Sequence, residues 1–118
     1  MRDHKKLQAF RLADELTVEV YRTTKTFPRD ELFGLTAQVR RAAVSVPSNI
    51  VEGCARHTEA DYLHFLDMAH GSAHELEYQL SLAFRLGYLP EKDHSPLKAS
   101  SGESCRVLTG LIRSLRHG

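Results

Sequence analysis

Tryptophan is missing from this 118-residue sequence, cysteine occurs only twice, and proline only four times. No apolar run approaches the ~20 residues that a membrane-spanning helix needs. Each shortage excludes something. Cys54 and Cys105 form no metal-type spacing and no disulfide framework, and in a reducing compartment they read as free thiols. The opening MRDHKKLQAF has neither the apolar centre nor the small-residue cleavage site of a secretory signal, so a cytosolic protein is expected. A glycine-rich phosphate loop, a GxSxG elbow and an HExxH pair are all absent. No cofactor and no enzymatic chemistry are expected. A formal charge of +1, from 16 basic and 15 acidic side chains, makes the whole chain no polycation. Its charge is nonetheless uneven: residues 58–89 carry one basic and five acidic groups, net −4, between segments that are mildly basic.

What is present is helical periodicity, with almost no strand alternation. A hydrophobic content of 42% is ordinary for a globular domain, and this length suffices for one continuous core. In the first helix Ala9, Leu12, Ala13, Leu16 and Val20 fall on one side. A second apolar line runs through Leu7, Phe10, Val18 and Tyr21. It is either a wide core stripe or a contact with another subunit.

The string TKTFPRDELFG is punctuation, with Thr26 as cap, Phe27 as staple and Pro28 in a first turn. From there Leu32, Leu35, Val39, Ala42, Val46, Ile50 and Gly53 recur every three or four residues without losing phase at Pro47. That continuity predicts one long helix over about residues 29–56, bent at the proline, although two helices meeting near Val46 also fit. Thr58 is the expected N-cap of a third helix, which Gly87 ends near Leu86. In the last segment Ser95–Pro96 reads as cap and first residue of a fourth helix, with a start at Glu91 as the alternative, and SSGES (residues 100–104) should be its mobile part. Short links make neighbours antiparallel. The expected fold is all-α, an up-down-up-down antiparallel four-helix bundle over residues 7–118, with a basic arm at 1–6.

Two polar clusters carry candidate chemistry. Asp67, His70 and His74 lie at i, i+3 and i+7, with Glu77 a turn further on. They are the metal candidates, although one helix supplies every ligand and a solvated face is the simpler reading. On the second helix Glu31, Gln38, Ser45, Asn49, Glu52 and Arg56 form a polar line flanked by Arg40 and Arg41. It is either the wet edge of an amphipathic helix or, if covered, a polar seam that sets register.

Taken together, FPRDELFGLTAQVRRAAVSVPSNIVEGCAR, EADYLHFLDMAHGSAHELEYQL and LGYL closely resemble the four helix bundle protein family. These small bacterial proteins were first noticed as reading frames within intervening sequences of 23S rRNA genes. The likeness runs from about Leu7 to the end and is strongest at Phe27–Pro28, Glu31, Leu35, Gln38, Arg40–Arg41, Ser45, Asn49, Glu52–Gly53, Arg56, Gly71–Ser72, Glu75–Leu76 and Gly87–Tyr88. SPLKASSGES departs from the family's helix-rich, acidic fourth-helix start. The resemblance implies a four-helix bundle, a homopentamer around a central axis, and no catalytic activity. It also brings in a relative, the accessory variability protein of diversity-generating retroelements, whose basic pentamer binds nucleic acid and a reverse transcriptase. A ring would give the second apolar lines a purpose, including Phe33, Ala37, Val44, Val51 and Ala55 on the second helix.

The expected function is therefore that of a non-enzymatic homo-oligomer binding RNA or an RNA–protein partner, with no membrane contact. Its phosphate candidates are Arg40, Arg41, Arg56, Arg113 and Arg116, and its subunit contacts involve Phe10, Tyr21 and the polar line. The alternatives are a protein–protein scaffold and, after it, a metal-binding protein.

Overall fold

The computed structural model describes residues 2–118. Among them are four α-helices and no strand: α1 (Gln8–Thr24), α2 (Leu35–Cys54), α3 (Glu59–Arg85) and α4 (Glu91–His117). Rising numbers on one helix meet falling numbers on the next. Arg2 and Thr17 of the first segment reach Cys54 and Ala43. Ser45 and Arg41 of α2 reach Ser72 and Glu75. Asp67, His70 and Glu77 of α3 reach Arg116, Thr109 and Cys105. Each helix packs on its two neighbours, α1 closing onto α4, while the diagonal pairs stay apart. This is the packing of a four-helix bundle, 43 × 24 × 19 Å, and its long axis matches the ~40 Å of a 27-residue helix.

The core has two layers of large side chains. One holds Ile50, Tyr62, Leu66, Leu108 and Ile112, the other Leu16, Val20, Val39, Leu76, Leu80 and Leu97. Between them the helices meet through Ala13, Ala43, Ala73 and Ser101, all buried. Small side chains there let the backbones approach closely at the waist.

Local chemistry explains most helix ends. The Thr58 hydroxyl accepts the Asp61 N–H at 3.1 Å, the expected cap of α3. At its other end Gly87 takes φ 80°, and the Tyr88 and Gly87 amides close back on Ala83 and Phe84. Several expectations need correction. The second helix begins at Leu35, not near residue 29, because Arg29–Glu31 form a separate 3-10 turn. Thr26 donates to the Thr23 carbonyl and so closes α1 instead of opening α2. The fourth helix starts at Glu91, with Pro96 inside it, and the residues SSGES are helical and packed, Ser101 and Ser104 being buried. Packing outweighs weak propensity there: Phe84 stacks on His94 at 4.2 Å and Leu97 is buried beneath. The segment expected as a basic arm lies against the bundle from Arg2 onward, the Arg2 amide donating to Cys54 O and its guanidinium sitting 3.9 Å over the Tyr62 ring.

α2 runs unbroken through Pro47. Proline has no N–H for the carbonyl four residues back, which leaves Ala43 O without its helical donor. The Thr17 hydroxyl of α1 lies 2.9 Å from that oxygen and 2.8 Å from its own Ala13 O. A side chain of the neighbouring helix thus replaces the missing bond and fixes the α1–α2 register at that level. Thr17→Val should lower stability by about 1 kcal/mol, while Thr17→Ser retains it. Coincident urea-unfolding curves for the valine variant and the parent would contradict this role.

Candidate functional site

The polar line of α2 lies along the flank shared with α3. Ser45 and Ser72 hydroxyls meet at 2.8 Å, and the Asn49 amide donates to Ser45 O and Oγ at 2.8 and 3.0 Å. Arg41 forks onto both Glu75 oxygens at 3.0 and 3.1 Å and also reaches Gln38 Oε1. Glu52 pairs with Arg56, whose guanidinium lies over Phe65. Glu31 accepts the Leu35 amide at 3.0 Å and the Tyr88 hydroxyl at 2.9 Å. Glu31, Gln38, Ser45, Asn49 and Glu52 therefore all find partners within one chain, most of them on α3 or one turn away. By hydrogen bond only Ser45 and Arg41 cross to α3, while Gln38 and Glu52 stay exposed, so the line is part seam and part wet edge.

Glu31 does two jobs in it. Its carboxylate caps the amide end of α2, where Gly34 has no side chain to offer. The Leu35 N–H and then the Tyr88 hydroxyl hold its carboxyl below the usual range, and the same bond raises the Tyr88 phenol. A folded value below the unfolded one contributes stability above the ordinary carboxylate range, and this is lost as pH falls through the folded value. The deficit of Glu31→Gln relative to the parent should accordingly be present at neutral pH and shrink in acid. A deficit independent of pH, measured by urea unfolding, would assign Glu31 a purely steric role.

Most arginines expected to face phosphate are engaged elsewhere. Arg40 donates to Thr24 Oγ1 at 2.8 Å and lies 5.0 Å over Tyr21. Arg41 and Arg56 are paired as above, and Arg116 forks onto Asp67. Arg113 is exposed and forms no ion pair among the described residues. With Arg106 it lines a groove between α3 and α4.

That groove also reorganises the expected metal cluster. Asp67 is turned to Arg116 and leaves it. His70 is half-buried, its Nε2 2.9 Å from Thr109 Oγ1 and 3.3 Å from His74 Nε2. Cys105 of α4 donates its S–H to Glu77 at 3.3 Å, and burial followed by that bond pushes the thiol up to about 12. Burial, then the neighbouring His74, lowers His70. Both cysteines are free and buried.

Between α1 and α2 on the outer side, Phe10, Val44, Pro47 and Val51, together with Asp14, Thr17 and Ser48, line a groove of about 390 Å³, with Phe10 edge-on to His4. Val18, Tyr21 and Phe33 extend the surface, Phe33 at 93% exposure. Met68 and Tyr78 of α3 and Leu86 at its C-cap are further exposed apolar side chains.

The family described as 23S rRNA-intervening sequence protein matches residues 5–110. The chain belongs to this family. Among solved structures, a protein of unknown function from the S23 ribosomal protein family of Bacteroides thetaiotaomicron is similar at a TM-score of 0.82 and 24% identity. The alignment covers 89% of this chain and 95% of that one, and at such identity the likeness concerns the fold. No curated protein matches. Among the described residues no helix is long and apolar enough to cross a membrane.

For this member of the 23S rRNA-intervening sequence family, sequence reasoning did not pair the seam with Ser72 and Glu75 of α3 or with Tyr88 after it, and it missed Cys105 and Thr109 of α4 as the neighbours of the His70, His74 and Glu77 cluster. Ser72 and Glu75 share the periodicity of the seam on a second helix, a signal that was available. Nothing in sequence spacing links Cys105 to Glu77, because only packing brings their helices together.

Proposed function

We propose that this protein is a non-enzymatic, cytosolic homo-oligomer, an up-down-up-down bundle with α2 bent at Pro47, that serves as an assembly scaffold. The observation that carries the reading is that large apolar side chains are exposed on two different parts of the subunit. Val44 and Val51 flank the α1–α2 groove, and Met68, Tyr78 and Leu86 belong to α3 and its C-cap. A two-fold dimer uses one patch twice, whereas two different patches suit a heterologous contact that closes into a ring. The pentamer implied by the family resemblance is such a ring. Sedimentation of the tag-free chain at micromolar concentration tests it: a single multimeric species supports the scaffold, and a stable monomer overturns it.

A second reading, binding of RNA or an RNA–protein partner, draws on the family description and on Lys98, Arg106 and Arg113. These three are exposed, spaced seven or eight residues apart on α4, and without ion-pair partners among the described residues. A ring would repeat that line in each subunit. The ion pairs of Arg41, Arg56 and Arg116 are the reason we put the scaffold reading first. Fluorescence anisotropy with structured RNA over a salt series separates the two, since an electrostatic complex weakens steeply with salt.

A further inference from the structure

We propose that α3 and α4 together hold a zinc ion through His74 Nδ1, Glu77 Oε1 and Cys105 Sγ. His74 Nδ1 lies 3.5 Å from Glu77 Oε1, and Cys105 Sγ lies 3.3 Å from that oxygen. One donor atom from each of the three residues falls within 4.8 Å of the others. With Zn–N and Zn–O near 2.0–2.1 Å and Zn–S near 2.3 Å, the edges of a tetrahedral site are about 3.3–3.6 Å. Two of the three edges are already in place. The third, between His74 and Cys105, lies within 4.8 Å.

The surroundings supply what a ligand set requires. His74 and Glu77 stand at i, i+3 on α3, and Cys105 faces them from the opposing helix. The His74 ring turns its other nitrogen to His70 Nε2 at 3.3 Å. For Nδ1 to offer its lone pair to the metal, the His74 ring carries its proton on Nε2, the nitrogen beside His70. His70 is in turn held by Thr109 at 2.9 Å, so it positions the ligand without touching the ion. Nitrogen, oxygen and sulfur in one set suit zinc over magnesium or calcium. On binding, the Cys105 thiol loses its proton to solvent and an S–Zn bond replaces the S–H bond to Glu77. Thiolate and carboxylate then balance the two charges of the cation. The fourth position faces the α3–α4 groove lined by Gly102, Arg106 and Arg113, where water has access. The two arginines disfavour a bare cation, and the two anionic ligands offset them.

Cobalt(II) is the direct probe, titrated into the tag-free full chain. The expected result is micromolar binding of one ion per chain, a thiolate-to-cobalt charge-transfer band with tetrahedral d–d bands, and displacement by one equivalent of zinc. Cys105→Ser should abolish the charge-transfer band and weaken binding by about 100-fold, and Glu77→Gln and His74→Gln should weaken it comparably. His70→Gln should cost about tenfold, the lower end for a supporting ligand, whereas Asp67→Asn and His64→Gln should leave affinity unchanged. Because Cys105 is buried and its variant can misfold, alkylation of the parent chain gives an independent reading: zinc should protect Cys105 and leave the rate at Cys54 unaltered. Millimolar binding only, absence of the sulfur band, its survival in folded Cys105→Ser, or no zinc protection of Cys105 would each overturn the site.

Discussion

Replacing Gly53 with valine should cost this protein about 3 kcal/mol, enough to threaten folding in a domain whose total stability is about 5–15 kcal/mol. A Cβ at position 53 meets Phe65 Cβ at 3.0 Å, Tyr62 Cδ1 at 3.2 Å and Tyr62 O at 3.3 Å. The first and last of these are fixed to the α3 backbone and cannot swing aside, so the helices themselves must separate. Gly53→Ala sets two effects against each other: a helix-propensity gain of about 1 kcal/mol and an overpacking cost of about 1–3 kcal/mol. Overpacking should win, by about 1 kcal/mol. Gly71 and Gly110 are the controls, since both are helical and nothing lies within 4 Å of an added Cβ. Alanine there should stabilise by up to about 1 kcal/mol. In thermal melts the valine variant should lose about 12 °C, at about 4 °C per kcal/mol, while the two control alanines gain a few degrees. If alanine at all three glycines moved the melting temperature the same way, close approach of α2 and α3 at Gly53 would not be the constraint.

If the chain assembles as proposed, glutamate at both Val44 and Val51 should yield folded monomers. Each valine is 37% exposed in the isolated subunit, so neither supports the core and the bundle should remain intact by circular dichroism. In a ring these positions would be covered, and burying two unpaired carboxylates per contact costs several kcal/mol. Each factor of ten in affinity is 1.4 kcal/mol, so a contact of micromolar strength weakens beyond detection at working concentrations. The same kind of double change on α3, Met68→Glu with Tyr78→Glu, should have the same effect if the contact is heterologous. Mixing the two monomeric variants tests that geometry further, since each keeps one intact patch. Their combination should restore a single contact and give a heterodimer by sedimentation. An unchanged multimer in either variant would place the subunit contact elsewhere.

The fourth helix shows where sequence information gave out. Pro96 is compatible with a first turn, and Ser95 with a cap, so local preference pointed to a start there. The helix instead begins at Glu91, because Phe84 stacks on His94 and Leu97 fills the core beside Leu89. Exposed Pro96 sits one turn in, where the carbonyl it leaves unpaired, on exposed Lys92, has water available. The start of α2 was displaced for a similar reason. Asp30 and Glu31 look like first-turn acids, but Glu31 reaches forward to cap Leu35 and across to Tyr88, a role that depends on a residue 57 positions away.

The sequence by itself determined the number of helices, most residues that face the core (though not Leu32, which is half exposed ahead of α2), the cap at Thr58, the stop at Gly87 and the continuity of the apolar stripe through Pro47. Those features rest on 3.6-residue periodicity and on backbone preferences of single residues, which are local. Only the tertiary structure decided that the polar line of α2 is answered by α3, that Thr17 replaces the bond Pro47 lacks, and that Cys105 completes the group that Asp67 leaves. Each of these depends on the azimuth and axial shift between two helices. Close packing of side chains from distant parts of the chain sets those quantities, and no spacing within one helix encodes them.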